Sequence, residues 1–512
     1  MKDTFVFPID QYIAAREFSS PGGMRGNMNK PNVILIIADQ WRGDCLGAAG
    51  HPDVMTPYFD TLCEEGIRFE SSYSATPTCI AARAAILTGM SQENHRRVGY
   101  ADGVRWDYAN TIAGEFSKAG YQCHCAGKMH VHPERKMMGY HSIDLHDGYL
   151  HYYRNGNVPY NENQRVVDDY NHWLKSELGI EADVVDTGIE CNSFVTRPWI
   201  YPEKYHPTRW VTDRAIDFLR RRDREMPFFL TLSYVRPHPP FDAPEPFFAL
   251  YRGRALAQPK MGDWADMEAL KRSGRIFDSY TGPVDEKLKK EAQTGYYACI
   301  SQVDYEYGRL REAMYSHNLD RSNTIVMFIS DHGELLCDHA LFRKSLPYKG
   351  SAFVPFVLSA PQWAVEACGG TTEGVRNRVV ELRDVMPTLL SLCGIDVPDT
   401  VDGQNVLSRD FHRDYLHGEH LHGGGNCHWI VTDHDKFIWF SNTGRRQYFD
   451  LALDPDELHD AVHDEQYAAR IQELEQILID ELVWREEGYV ENGALVTGRP
   501  VRATLTRTRR EV

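Results

Sequence analysis

The sequence predicts an α/β fold, in which helices cover both faces of a sheet, followed by a smaller C-terminal α+β subdomain. Continuous apolar runs, typical of strands that are buried on both faces, alternate with amphipathic stretches that have helical spacing. The length of 512 residues allows one large or two medium domains. Near residue 395 a loop rich in Pro, Gly and Asp interrupts the alternation, and strand-like pieces and one helix follow it.

Each predicted element follows from its local pattern. Apolar runs predict strands at 32–39, 121–127, 227–235, 324–331 and 354–360, and helical spacing predicts helices at 208–222 and 291–317. Beyond the loop, the pattern predicts strands within 428–441 and 445–454 and a helix at 464–487. We therefore expect four regions, which are an N-terminal extension (1–30), an α/β domain (31–395), a C-terminal α+β subdomain (396–496) and a basic tail (497–512).

Composition and charge exclude several classes of function. The net charge of −17 argues against nucleic-acid binding, although a few cations in a cleft still permit a small anionic substrate. No apolar run approaches the roughly 20 residues that span a bilayer, so no membrane partner is expected. The first thirty residues lack the apolar stretch of a secretory signal, and we expect a cytoplasmic protein. Eleven scattered cysteines without a CxxC pair argue against a disulfide framework or a structural zinc site.

Two predicted strands end in acidic residues that suit a metal site. Asp39 and Gln40 follow the first strand, and Asp331 and His332 follow the fourth. Ligand sites of open α/β sheets lie beyond the carboxyl ends of the strands. Either aspartate alone is adequately explained as a helix cap, but their parallel placement favours one divalent cation. The oxygen ligands favour Ca²⁺ or Mg²⁺, and the imidazole also permits Mn²⁺.

Lysines and histidines follow other predicted strands and are candidates for contacting an anion or moving a proton. Lys128 and His130 lie in "GKMH", and His238 lies in "RPHPP". Lys344 and Lys349 follow the Asp331 strand, and spacing alone does not choose between them. Most of the 22 histidines must be structural or surface groups, so no single one identifies a site.

The stretch "PTCIAARAAILTG" predicts a helix that begins at or near Cys79. A helix N-terminus stabilises negative charge and lowers the pKa of a thiol. Arg83 lies one turn further along, on the same face as Cys79. A structural helix start rich in small residues is the alternative explanation of this stretch.

Together these blocks resemble the type I sulfatase family of the alkaline phosphatase superfamily. "CIAARAAILTG" matches the family signature Cys-x-(Pro/Ala)-x-Arg followed by Leu-Thr-Gly. "PNVILIIADQWRGD", "TPYFDTLCEEGIRFESSYSATPTC", "GKMH", "RPHPPFDAPEPF", "NTIVMFISDHGE", "DVMPTLLSLCGI" and "YFDLALDPDE" match further family blocks in the expected order. The resemblance implies a large, mixed, mostly parallel sheet sandwiched by helices, with a smaller C-terminal α+β subdomain.

The resemblance also implies a cofactor set and a role for each candidate residue. Cys79 would be oxidised to Cα-formylglycine, whose hydrate attacks sulfur. The implied metal ligands are Asp39, Gln40, Asp331, His332 and the matured Cys79, with Ca²⁺ preferred over Mn²⁺ or Mg²⁺. By the same resemblance, Arg83 would stabilise the hydrate, and Lys128 and Lys344 would hold sulfate oxygens. His130 would accept the proton whose loss releases sulfate, and His238 would protonate the leaving oxygen.

The expected activity is therefore hydrolysis of a sulfate monoester, with an aromatic, steroid or sugar leaving group. Gln40 and His332 depart from the commoner Asp and Asn of sulfatases and also occur in the choline-sulfatase and phosphonate-monoester-hydrolase branch. A phosphonate monoester hydrolase or phosphodiesterase using the same nucleophile is the alternative. Ala81 replaces the commoner proline of the signature, which indicates an anaerobic maturase as a partner. The basic tail makes a homo-oligomer a further expectation.

Overall fold

The computed structural model describes residues 30–150, 167–422 and 425–511, so the predicted N-terminal extension lies almost wholly outside the described residues. Elements are numbered along these residues. The strands are β1 Asn32–Asp39, β2 Ile67–Arg68, β3 Ser71–Tyr73, β4 Gln122–Gly127, β5 Ser142–Leu145, β6 Phe228–Pro237, β7 Thr324–Ser330, β8 Phe356–Ser359, β9 Val379–Glu381, β10 Leu416–His422, β11 Gly425–Val431, β12 Asp435–Phe440, β13 Arg446–Asp450, β14 Val490–Glu491 and β15 Ala494–Leu495. The helices are α1 Pro57–Glu65, α2 Cys79–Thr88, α3 Gln92–His95, α4 Ile112–Lys118, α5 Asp169–Leu178, α6 Pro207–Arg221, α7 Glu245–Ala249, α8 Met267–Ser273, α9 Glu286–Ser316, α10 Lys349–Ala352, α11 Gln362–Ala367, α12 Val385–Leu392 and α13 Ala468–Leu482.

The predicted α/β fold is confirmed. A seven-stranded sheet has the order β2-β8-β7-β1-β6-β4-β5 and contains all five strands that the apolar runs predict. The strands from β7 to β5 pair in parallel, whereas β8 pairs antiparallel with both β7 and β2. The sheet is therefore mixed and mostly parallel, as the resemblance implies.

Helices bury the two faces of the sheet separately, which explains why its strands are apolar throughout. Ile34 and Ile36 of β1 pack with side chains of α6 and α9 on one face. Val33, Leu35 and Ile37 point to the other face and pack with α2, α4 and α12. Because neighbouring side chains of a strand point to opposite faces, burial on both sides requires a continuous apolar run.

Strand register brings the predicted site residues to one edge of the sheet. Ala38 of β1 is level with Ser330 of β7, so the next residue of each strand, Asp39 and Asp331, leaves the sheet at the same height. Gly127 of β4 is level with Ser233 of β6, which delivers Lys128 to the same edge. The carboxyl ends of these four strands thus form the floor of a common site.

The C-terminal region contains a four-stranded antiparallel sheet in the order β10-β11-β12-β13, with α13 on one face. Its other face shares a hydrophobic core with the α/β domain, where Trp429 and Phe449 pack with Leu335 and Tyr348. Strand β10 was not predicted, because the polar sequence "LHGEHLH" hides its alternation. The predicted domain boundaries near residues 31 and 396 stay a proposal about organisation.

The basic tail packs against its own chain. The amide of Val98 donates to the carbonyl of Ala503 at 3.0 Å, and the amide of Leu505 donates to the carbonyl of Arg96 at 2.9 Å. Arg509 and Arg510 reach acidic side chains of the same chain, Glu481 and Asp402. Among the described helices, none combines the length and the apolar character needed to cross a bilayer.

One buried carboxyl gives a testable pH dependence of stability. Asp304 of α9 accepts hydrogen bonds from the amides of Phe59 (2.8 Å) and Tyr58 (3.3 Å), yet burial raises its pKa to about 7. Its pKa in the folded state therefore exceeds its unfolded value, so its contribution to stability is complete below about pH 4 and is lost as the pH rises towards 7. We expect the Tm of Asp304→Asn, relative to wild type, to rise by at least about 2 °C between pH 5 and pH 8. The exposed Asp410→Asn variant is the control, and an equal Tm difference at both pH values would contradict the prediction.

Candidate active site

Helix α2 begins at Cys79, as the sequence predicts, and carries it into the buried edge of the sheet. Thr78 before it is extended, and Gly89 ends the helix in the left-handed conformation with φ of 67°. The small residues Ala81 and Ala84 are completely buried and let the helix lie close to its neighbours. The first turn of α2, which carries Cys79, is thereby fixed beside the ends of β1 and β7.

The structure brings four of the predicted metal ligands together. The ligand atoms of Asp39, Cys79, Asp331 and His332 all lie within 4.8 Å of one another, and all four residues are buried. The Nε2 atom of His332 lies 3.2 Å from Cys79 Sγ, 3.5 Å from Asp39 Oδ1 and 3.7 Å from Asp331 Oδ1. Two buried carboxylates this close to a shared imidazole offer oxygen and nitrogen ligands to one cation.

The fifth predicted ligand, Gln40, is held by Asp331 and Lys344, which the sequence predicts for the site, and by Glu334, which it does not. Its backbone amide donates to Asp331 Oδ1 at 3.1 Å, and its side-chain Nε2 donates to the carboxylate of Glu334. Because a carboxylate only accepts, this contact directs Oε1 the other way, where Lys344 Nζ donates to it at 2.8 Å. Glu334 is completely buried, and its only sequence signal is its position two residues after His332.

Cations surround the carboxylates. Arg83 Nε contacts Asp331 Oδ2 at 3.0 Å, and its Nη1 donates to the Lys128 carbonyl and to Ser233 Oγ, both at 2.9 Å. Lys128 Nζ forms an ion pair with Asp39. Burial lowers the pKa of both cations, but the aspartates outweigh it and the net shift is upward. Arg83 therefore fixes the positions of Asp331 and Lys128 from one point in α2.

The cations also act on the candidate nucleophile. Lys344 Nζ lies 3.5 Å from Cys79 Sγ. Burial and the Asp39 carboxylate raise the pKa of the Cys79 thiol, whereas Lys128, Lys344 and His332 lower it, and the net shift is downward. The other choice left open by spacing, Lys349, pairs with Asp456 at 2.9 Å and stays outside the site.

A cavity of about 420 Å³ opens above Cys79. Its wall contains the remaining predicted residues, which are Lys128, His130, His238 and Lys344. Tyr100, Tyr149 and Tyr280 add an aromatic wall, and His420 of β10 comes from the C-terminal sheet. Trp264 lies elsewhere and stacks on Tyr348 at 4.3 Å, and Tyr152 and Tyr153 lie outside the described residues.

The two histidines of the cavity are held differently. Asp147, which the sequence does not single out, accepts the amides of Met129 (2.9 Å) and His130 (3.0 Å) and so fixes the loop that carries His130. Nδ1 of His238 lies 2.8 Å from the carbonyl of Pro239, which can only accept, so Nδ1 carries a proton. Burial first, and then Lys344, hold the pKa of His238 well below its usual value. In the neutral ring, Nε2 is consequently an acceptor.

Comparison with known proteins agrees with this geometry. The family model described as Sulfatase matches residues 31–395, and the model of the N-sulphoglucosamine sulphohydrolase C-terminal region matches residues 337–483. The chain is 48% identical over 477 residues to an arylsulfatase of Clostridium perfringens, covering 92% of this chain and 98% of that protein. It is 27% identical to a multifunctional alkaline phosphatase superfamily protein of Trinickia caryophylli, covering 90% of this chain and 96% of that one.

A solved structure shows the same architecture. The phosphonate monoester hydrolase of Agrobacterium radiobacter superimposes with a TM-score of 0.72 and 25% identity, covering 92% of this chain and all of that one. The family model spans most of the chain, and the arylsulfatase relative is similar along nearly its whole length. This chain therefore belongs to the sulfatase family of the alkaline phosphatase superfamily and is a hydrolase of sulfuric esters.

Proposed function

We propose that the protein hydrolyses aryl sulfates, using residue 79 as the nucleophile after its maturation to Cα-formylglycine. The observation that carries this proposal is the position of Cys79 at the bottom of the cavity, with Lys344 at 3.5 Å and the predicted metal ligands around it. An aryl leaving group is supported by the tyrosines of the cavity wall and by the 48% identity to an arylsulfatase.

The donor set fits one divalent cation. Asp39 and Asp331 are completely buried and lie close together, and the amide oxygen of Gln40 is directed towards the same side as Lys344. Carboxylate and amide oxygens favour Ca²⁺, with Mg²⁺ as the alternative, and His332 also permits Mn²⁺. The ion would supply positive charge where the nucleophile and the sulfate oxygens meet. Elemental analysis of the purified protein identifies the ion.

The surroundings of Cys79 also fit the matured residue. Formylglycine supplies a hydrated aldehyde, which is an oxygen nucleophile that the thiol itself does not provide. Lys344 is within reach of this side chain, and Arg83 lies one helical turn away, so both can stabilise oxygen atoms bound there. The conversion requires a maturase, for which an anaerobic radical type is the proposal because Ala81 stands in the signature.

Each remaining residue has a proposed task. Lys128 and Lys344 hold the sulfate oxygens as negative charge develops, and Arg83 keeps Asp331 and the Lys128 loop in position. His130, whose loop is held by Asp147, accepts a proton from the matured residue 79, and the loss of this proton releases sulfate. His238 protonates the leaving oxygen from Nε2, which requires the imidazolium form, and a bound sulfate monoanion favours that form by its charge.

The proposed acid role of His238 predicts a dependence on the leaving group. A poor leaving group needs the proton more than a good one does, because more charge develops on its oxygen. We expect His238→Asn to lower kcat/KM about 100-fold for phenyl sulfate and less than about 10-fold for 4-nitrophenyl sulfate. An equal loss for both substrates would assign His238 to binding instead.

The experiment that tests the activity compares matched substrates. Sulfate monoesters and phosphonate monoesters both carry a single negative charge, so the cations of the site do not by themselves separate them. With maturase co-expressed, we expect kcat/KM for phenyl sulfate to exceed that for the phenyl ester of methylphosphonate by at least about 100-fold. The reverse preference would favour phosphonate monoester hydrolysis. This activity is the second candidate because of the structural relative and the Gln40–His332 pair. A cytoplasmic location and self-association stay predictions from the sequence.

A further inference from the structure

A second group of potential metal ligands lies in the C-terminal sheet, on the face turned towards α13. Glu419 of β10 is directly opposite His428 of β11, and His417 lies two residues before Glu419 on the same face. Ile430, on this face of β11, packs with α13, whereas Trp429 on the other face packs with the α/β domain. All three candidate ligands are buried, and Glu419 and His428 are completely so.

Their ligand atoms converge. Nε2 of His417 lies 3.3 Å from Nδ1 of His428, and that Nδ1 lies 3.9 Å from Oε2 of Glu419. Two imidazole nitrogens that each bind zinc at about 2.0–2.1 Å in a tetrahedral arrangement are separated by about 3.4 Å. Within the described part of the chain, Oε2 of Glu419 accepts no hydrogen bond, although it is buried. Burying a carboxylate oxygen without a hydrogen-bond donor costs free energy unless a cation binds that oxygen.

Two of the ligands are oriented from outside the cluster. Oε1 of Glu93, on α3 of the α/β domain, lies 2.9 Å from Nδ1 of His417. A carboxylate only accepts, so Nδ1 carries the proton and Nε2 of a neutral ring offers its lone pair towards His428. Arg485 Nη1 donates to Oε1 of Glu419 at 2.7 Å and leaves Oε2 for the cluster. A carboxylate that orients a ligating histidine through its other nitrogen is a recurring feature of zinc sites.

A hydrogen bond between the two histidines is the competing explanation. A doubly protonated His417 would donate to His428 and account for the 3.3 Å distance, but it would leave Oε2 of Glu419 unpaired. Charge also distinguishes the two. The connected buried groups comprise three carboxylates (Glu93, Glu419, Glu487) and one guanidinium (Arg485), and the neighbouring Glu481 is paired with Arg509, which leaves two negative charges. One divalent cation neutralises them, whereas one imidazolium neutralises half.

We propose that His417, His428 and Glu419 form a structural zinc site that fastens the C-terminal sheet to the α/β domain through Glu93. Two imidazoles and one carboxylate favour zinc over calcium, in contrast to the oxygen-rich active site. Gln92, next to Glu93, donates from Nε2 to the carbonyl of His417 at 3.0 Å and reinforces the same junction. The site is separate from the proposed catalytic cation and does not depend on its identity.

The test measures metal content in the full-length protein after incubation with zinc and calcium and removal of the unbound ions. We expect His428→Gln to lose about one equivalent of zinc relative to wild type while keeping its calcium. Asp331→Asn should show the opposite pattern, with lower calcium and unchanged zinc at this site. His124→Gln, which alters a buried histidine in β4, is the matched control and should resemble wild type. If His428→Gln and wild type bind the same amount of zinc, the proposal is wrong.

Two measurements on the wild type keep the proposal testable if the variants do not fold. Diffraction from crystals of the zinc-loaded protein at the zinc absorption edge should show an anomalous peak bounded by the three ligands. Chelation should lower the Tm of the wild type by several degrees, and zinc alone should restore it. A map without a peak at this position, or a Tm that only calcium restores, would overturn the assignment and support the histidine–histidine hydrogen bond.

Discussion

Cys79→Ala is expected to lower the turnover of an aryl sulfate by at least about 1,000-fold, even when the maturase is present. The substitution removes the atom from which the aldehyde is made, while Lys344, Arg83 and His332 stay around the position. Because alanine is smaller and α2 is packed along its length, the helix itself should be unaffected. The measurement is the initial rate with 4-nitrophenyl sulfate, together with the circular dichroism spectrum of the variant.

Cys125→Ala is the matched control for this change. Cys125, within β4, is also a buried thiol, but burial raises its pKa, in contrast to the downward shift of Cys79. We expect this variant to keep about wild-type turnover. Intact-mass analysis should show wild type and Cys125→Ala lighter by about 18 Da than their unmodified sequences, and Cys79→Ala unshifted. Full turnover in Cys79→Ala would refute the proposed nucleophile.

Asp331→Asn is the second change with a large expected effect. The variant keeps an acceptor for the amides of Gln40 and His332, but it removes a charge from the metal cluster and from the ion pair with Arg83. We expect a loss of bound divalent metal and a fall in kcat of at least about 1,000-fold. Elemental analysis and the rate at saturating calcium check the two effects separately.

Asp304→Asn serves as the control for Asp331→Asn, since it also converts a buried aspartate that accepts two backbone amides. Asp304 lies on α9 and contacts the first turn of α1, so its substitution should leave metal content and kcat unchanged. Restoration of the Asp331→Asn rate by high calcium would mean that Asp331 contributes affinity alone. A normal metal content with a low rate would instead assign its main effect to the position of Arg83.

The sequence predicts those parts of the fold and site that depend on regular patterns. Strands buried on both faces must be apolar throughout, so β1 and β7 are visible in the sequence, and their ends locate Asp39 and Asp331. The helix that starts at Cys79 can be predicted because small residues suit its interior and Gly89 suits its end. Family blocks then assign roles to residues that the pattern alone leaves equal, such as Lys344 and Lys349.

The remaining features depend on contacts that have no local signature. Glu334 and Asp147 orient the site by accepting side-chain or backbone donors, and nothing in their neighbourhoods distinguishes them from surface carboxylates. Strand β10 escapes prediction because His417 and Glu419 are buried in a polar cluster rather than in an apolar core. The hydrogen-bond partners of buried polar groups come from distant parts of the chain and meet only in the folded protein, so the local sequence pattern does not reveal them.

The contribution of His420 to the cavity wall has a consequence for the order in which the enzyme is made. Cys79, Lys128 and His238 leave the ribosome early, but His420 of the cavity wall comes from β10, more than four-fifths of the way along the chain. The core shared by Tyr348 and Trp429 also stays open until β11 has been synthesised. A nascent chain that ends near residue 395 would thus carry every proposed catalytic group but would lack His420 of the cavity wall and the packing of Trp429 on Tyr348. We therefore expect activity only after β10 and β11 have been synthesised and packed.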